Sequence, residues 1–95
     1  MFIHIFGFRW IENATDAEKA RAVREIRAFQ GQIPGLIDVS VGENLSLRGH
    51  GYTFAGLMRF ADRAASDAYA THPAHLALLK WLVPLIEAVE LDFEV

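Results

Sequence analysis

Two segments of this chain are apolar on both faces, and that limits what it can fold into more than any other feature. From Phe2 to Trp10 the even positions are Phe2, His4, Phe6, Phe8 and Trp10, and the odd ones are Ile3, Ile5, Gly7 and Arg9. From Tyr52 to Phe60, Tyr52, Phe54, Gly56, Met58 and Phe60 alternate with Thr53, Ala55, Leu57 and Arg59. Successive side chains of a strand point to opposite faces, so segments of this kind predict strands covered on both sides.

The stretches between them read as helices and further strands. Thr15 followed by Glu18 is a capping-box signature, and Asp16 adds negative charge where the helix dipole favours it. Ala22, Val23, Ile26 and Phe29 then recur at helical spacing against Lys19, Arg21, Arg24 and Arg27, which predicts an amphipathic helix ending at Gly31. After the turn Ile33-Pro34-Gly35, a strand from Leu36 to Val41 carries Ile37, Val39 and Val41 on one face. Gly42 to Gly51 is a polar, glycine-rich loop. Asp62 caps a short helix through Tyr69, which must stop or bend at Thr71-His72 because Pro73 disfavours helical backbone in the residue before it. Pro73 suits the first position of a new helix, and Pro84 marks its kink or end. In the last strand Val89, Leu91, Phe93 and Val95 alternate with Glu90, Asp92 and Glu94. That reads as one core face and one acidic face, with the acidic row expected beside Arg9 at the sheet rim.

The order β-α-β-β-α-β, with the second helical segment broken at Pro73, predicts an α+β, ferredoxin-like split βαβ domain over residues 1–95 with a four-stranded antiparallel sheet. Its helices cover one face. The other, with Ile3, Ile5, Ala55 and Leu57, is too apolar for water, and a second copy of the same face is the economical cover. A homodimer joined through its sheets, a dimeric α/β barrel, is therefore expected.

Composition narrows the function. With 53% hydrophobic and 22% charged residues, the chain is apolar for a domain of 95 residues. A net charge of −3 with scattered basic residues leaves no footprint for nucleic acid or for anionic membranes. Cysteine is absent, so thiolate and disulfide chemistry are excluded and a reducing compartment is allowed. His4 and Arg9 interrupt the apolar start, no run approaches the ~20 residues of a membrane helix, and the expectation is a cytoplasmic protein.

Chemistry concentrates at Tyr69-Ala70-Thr71-His72-Pro73-Ala74-His75. An imidazole of ordinary pKa near ~6.5 exchanges protons at neutral pH, and a nearby tyrosine hydroxyl can hold a carbonyl that becomes an enolate. His75 and Tyr69 are therefore the candidate catalytic pair, set against the plainer alternative of a buried histidine bonded to a backbone carbonyl beside a core tyrosine. His72 fits an N-cap. His72 and His75 lack a third ligand nearby in sequence, so neither a metal nor another cofactor is expected. The ligand pocket is expected between sheet and helices, with His4, Phe6, Phe8 and Phe54 on the strands. Val23, Ile26, Val39 and Ile86 complete it. The aromatic set Phe6, Phe8, Phe54, Phe60 and Trp81 suits either such a pocket or an ordinary core.

These residues resemble the stress-responsive dimeric α/β-barrel (Dabb) family. The resemblance runs through His4, Ile33-Pro34-Gly35, Gly42, Gly51-Tyr52, Tyr69 and His72-Pro73-Ala74-His75, and it spans nearly the whole chain. It implies a dimeric ferredoxin-like fold. Some family members are stable stress-related assemblies; one, the plant polyketide cyclase olivetolic acid cyclase, is an enzyme. Similarity to that cyclase implies a general-base role for His75, a carbonyl-orienting role for Tyr69 and a pocket role for His4. This chain departs from it at Phe54, where the cyclase has a further pocket histidine. Two functions follow as expectations: binding of a small, mostly apolar carbonyl compound with proton abstraction assisted by His75, or a non-catalytic role as a stable assembly.

Overall fold

The computed structural model describes residues 1–11 and 13–95. Strand β1 runs Phe2–Trp10, helix α1 Asp16–Arg27, β2 Leu36–Glu43, β3 Phe54–Phe60, α2 Arg63–Ala70, α3 Pro73–Leu82 and β4 Ile86–Glu94, with one 3₁₀ turn at Val83–Leu85. All strand pairs are antiparallel and the sheet order is β2-β3-β1-β4. This is the ferredoxin-like architecture the chain pattern predicts.

Local chemistry sets most boundaries. The amide of Glu18 donates to Thr15 Oγ1 at 3.1 Å while the Thr15 amide donates to Glu18 Oε1 at 2.9 Å, closing the capping box of α1. The helix ends at Arg27, four residues before Gly31. There the chain tightens into i→i+3 bonds, Phe29 N to Ile26 O and Gln30 N to Arg27 O, and Gly31 at φ 82° completes the turn. Gly35, at φ 80°, brings its backbone against α2: a β-carbon there would sit 2.5 Å from the Ala65 methyl carbon. β3 begins at Phe54, two residues later than expected, because the Tyr52 amide is committed to Gly49 O within the loop.

Helices and sheet share one core, in which Phe8, Met58 and Phe60 from the strands pack with Ala22, Ile26, Phe29, Tyr69, Leu78 and Leu82 from the helical segments. Val23, Val39, Phe54 and Trp81 are half-buried against it. α1 and α3 are tied at the surface, where the Arg21 guanidinium lies 4.2 Å from the centre of the Trp81 ring and Trp81 Nε1 donates to Glu25 at 3.3 Å.

Two expectations about side-chain direction are corrected. A register shift between Leu36 and Asp38 puts an extra residue, Ile37, into β2, so Val39 and Val41 face the core while Ile37 is exposed. The larger correction concerns β4. Ile3 pairs with Phe93, Ile5 with Leu91 and Gly7 with Val89, whereas Phe2, His4 and Phe6 pair with Glu94, Asp92 and Glu90. Residues directly opposite in an antiparallel pair share a face. The apolar row thus lies on the open face of the sheet, and the acidic row lies on the helix side. Arg9 is not its partner; its guanidinium bonds Glu87, from Nε at 3.1 Å.

The open face therefore carries Ile3, Ile5, Leu57, Val89, Leu91 and Phe93 together. Leu91 is 61% and Phe93 49% exposed. Among the described residues no helix is long and apolar enough to cross a membrane.

Candidate functional site

The break between α2 and α3 is two residues long. Asp62 caps α2, accepting from the Ala65 amide at 2.8 Å. The His72 ring caps α3, with Nδ1 accepting from the Ala74 amide at 3.1 Å, and Pro73 occupies the first helical position, where no donor is missed. The joint thus places Tyr69 near the end of one helix and His75 in the first turn of the next. Their rings meet at a centroid distance of 4.1 Å and an angle of 31°.

His75 Nδ1 lies 3.1 Å from the carbonyl oxygen of Ala70. A carbonyl only accepts, so Nδ1 carries the proton of the neutral ring and Nε2 carries the lone pair. The bond also satisfies a carbonyl that the end of α2 would leave unpaired. Burial pushes the His75 pKa down; the Ala70 bond and then the Glu90 charge oppose this, and His4 adds slightly to it. At neutral pH His75 is an uncharged base. Tyr69 is wedged between Phe29 and Phe60, at ring distances of 5.6 and 5.3 Å. Burial, with the Glu90 carboxylate second, raises its pKa far above the ordinary phenol value. Its hydroxyl therefore stays protonated and serves as a donor, and no hydrogen bond from a described residue engages it.

His4 approaches the pair from the sheet, its ring 6.3 Å from that of Tyr69. Its Nδ1 lies 2.5 Å from Asp92 Oδ1, which orients the ring and assigns the Nδ1 proton to that bond. Asp92 reaches His4 only because β4 presents its acidic row to the helix side.

These groups border a cavity of about 140 Å³. Its polar wall is His4, Tyr69, His75 and Glu90; its apolar wall includes Phe6, Phe8, Ile26, Leu78, Leu82 and Ile86. Seven of the residues expected at the site, Tyr69, His75, His4, Phe6, Phe8, Ile26 and Ile86, are therefore brought to one space. Three are not. Val23 and Phe54 border a separate open hollow beside Lys19, Arg24 and Arg27 at the far side of α1, and Val39 packs into the half-buried margin of the core. Of the aromatic set, Phe60 is fully buried and Trp81 is engaged with Arg21, so neither lines the cavity. Sequence reasoning missed Glu90 and Asp92; a register moved by one residue in β4 would have revealed both. Among the described residues no group of three or more metal-ligating side chains comes together.

Neutral base, neutral hydroxyl donor, carboxylate-oriented histidine and apolar wall form a small site suited to proton transfer beside a carbonyl. The fold agrees with what the sequence comparison finds. The stress responsive A/B barrel domain family matches residues 2–95, and the chain belongs to that family. No curated protein matches the sequence. Among solved structures, the chain is similar to a dimeric ferredoxin-like protein from Thermobifida fusca, with 26% identity, TM-score 0.85, and 99% of this chain and 90% of that one covered. It is similar to a Dabb family protein with a ferredoxin-like fold from Mesorhizobium loti, at 25% identity and TM-score 0.84, covering 99% and 95% of the two chains. A hydroxynitrile lyase from Passiflora edulis shares the fold at TM-score 0.89 with 19% identity, covering 99% and 92%.

Proposed function

We propose that the protein is a homodimer, joined through the open faces of its sheets, that binds a small, mostly apolar carbonyl compound in the cavity between sheet and helices. His75 Nε2 takes a proton from the carbon beside the carbonyl: the C–H bond breaks, its electron pair forms the carbon–carbon double bond, the carbonyl π pair moves to oxygen, and the Tyr69 hydroxyl holds the resulting enolate while the proton stays on the imidazolium. His4, oriented by Asp92, supplies a second imidazole to the same space. The observation that carries this reading is the 4.1 Å meeting of Tyr69 and His75 at one cavity, with His75 Nδ1 already committed to Ala70.

The fold's capacity for catalysis supports it, since a structure sharing this fold is a hydroxynitrile lyase. The exposed apolar row on β4 and the dimeric state of the Thermobifida fusca protein support the homodimer. The cavity of about 140 Å³ lies below the ~300–1,000 Å³ of sites for drug-sized ligands, which favours a compact substrate of one ring or a short chain. The test is exchange of α-protons of small aryl ketones with deuterated water, followed by NMR. Wild-type protein accelerates the exchange and His75→Ala abolishes the acceleration. Equal rates with wild type, His75→Ala and buffer would leave the other reading, a non-catalytic stable assembly.

A further inference from the structure

Glu90 is the part of this cavity that neither the Tyr69/His75 pair nor the apolar wall accounts for. It pairs with Phe6 across β1 and β4, so its side chain stands on the helix side of the sheet, where it borders the cavity. The residue itself is exposed, which puts its carboxylate at the mouth. Three other acidic residues of the sheet have partners: Glu87 has Arg9, Asp38 has Arg59 and Asp92 has His4, while Glu43 and Glu94 do not border the cavity. Among the described residues Glu90 has no hydrogen bond or ion pair of this kind. An unpaired carboxylate beside an apolar space repels anions that approach that space and attracts donors and cations. Asp92 lies two residues further along the same face and adds to the negative field. Among the described residues no lysine or arginine borders the cavity.

We infer that Glu90 determines the charge class of the ligand: the site accepts neutral or cationic carbonyl compounds that carry a hydroxyl or ammonium group, and turns carboxylates away. The inference rests on the ligand-binding reading above and specifies its substrate class. Glu90 acts on the ligand through its charge and its two acceptor oxygens, while proton transfer stays with His75. Its charge also reaches both Tyr69 and His75, so the carboxylate is close enough to act on a ligand held beside them.

The experiment uses four probes of similar size: acetophenone, 4-hydroxyacetophenone, 4-(aminomethyl)acetophenone and 4-acetylbenzoate. Binding of each to the wild-type protein and to Glu90→Gln and Glu90→Lys is followed by ligand-observed NMR at low salt. Wild type is expected to bind the hydroxyl and ammonium probes on the order of tenfold more tightly than the carboxylate. Glu90→Gln brings the carboxylate to within a few-fold of acetophenone, and Glu90→Lys makes it the preferred probe. Because Glu90 is exposed and unpaired, both variants should keep the wild-type melting curve, which separates a changed preference from a damaged fold. If probes bind but their order is the same in all three proteins, Glu90 does not set the charge class and this inference fails alone. If no probe binds wild type, the ligand-site reading fails and this one with it.

Discussion

Gly56 lies directly opposite Phe6 across the β1–β3 pair, and the tip of the Phe6 ring occupies the space a side chain would fill: a β-carbon on Gly56 would stand 2.0 Å from Phe6 Cζ. The glycine thus decides where the ring lies, and the ring is one wall of the cavity. The absence of a side chain at one strand position therefore sets the volume of the site on the neighbouring strand.

Gly56→Ala should shrink the cavity more than it harms the fold. The ring has open space beside it and can swing away, so the loss of stability should fall at or below the ~1–3 kcal/mol typical of overpacking. The displaced ring then fills part of the cavity, and ligand affinity drops at least tenfold. Urea unfolding and ligand titration measure the two effects separately. Adding Phe6→Leu to Gly56→Ala should restore binding, because the two residues are in contact and their effects are coupled. Unchanged affinity in Gly56→Ala would show that the ring does not shape the site.

Tyr69→Phe separates chemistry from packing. The ring is held by Phe29, Phe60 and His75, and all those contacts survive the substitution. The hydroxyl lost has no hydrogen bond from a described residue, so stability should change by less than about 1 kcal/mol. If the hydroxyl holds an enolate, α-proton exchange should fall by roughly 10²-fold, the scale for loss of one oxyanion donor. A large drop in melting temperature with normal exchange would assign Tyr69 to the core instead.

The open sheet face predicts an oligomeric state. Leu91 pairs with Ile5 in the middle of the apolar row and is 61% exposed in the isolated chain. In a two-fold interface the same patch meets itself, so one substitution acts twice. Leu91→Glu would bring a charge from each protomer into an apolar contact, and the protein should change from dimer to monomer at micromolar concentration by light scattering. A wild-type monomer under those conditions would overturn the dimer.

Helix starts and the helix break were legible in the chain because each rests on local chemistry. The capping pair Thr15 and Glu18, the cap Asp62 and the His72-Pro73 joint act over two or three residues, and the structure uses all of them. The meeting of Tyr69 and His75 was legible only through the family resemblance, since six residues apart on two helices do not fix a distance. The face of β4 was misread because alternation alone gives two faces without saying which meets the helices. An apolar row signals burial, and here the partner that would bury it is expected to be another chain. Register against β1, a long-range property, decided the matter and put Glu90 and Asp92 beside the site. Val39 and Phe54 stand on the helix side of the sheet, but that face is wider than the cavity: Phe54 borders the hollow beside α1 and Val39 the margin of the core.

His75 makes stability depend on pH in a defined direction. Burial lowers its pKa in the folded protein below the ordinary 6.5 that applies when the chain is unfolded. Between those two values the unfolded chain binds the extra proton, so acid favours unfolding there. The His75 contribution is complete above the unfolded value, declines as the pH falls below about 6.5, and stops changing once the folded group is also protonated. Carboxylates add their own acid sensitivity, so the comparison is between wild type and His75→Gln. The melting temperature of wild type should fall more steeply from pH 7.5 to 5 than that of the variant. The same protonation removes the lone pair on Nε2, so α-proton exchange should decline over the same interval. Parallel melting curves for the two proteins, with exchange that does not vary with pH, would show that His75 neither titrates on unfolding nor serves as the base.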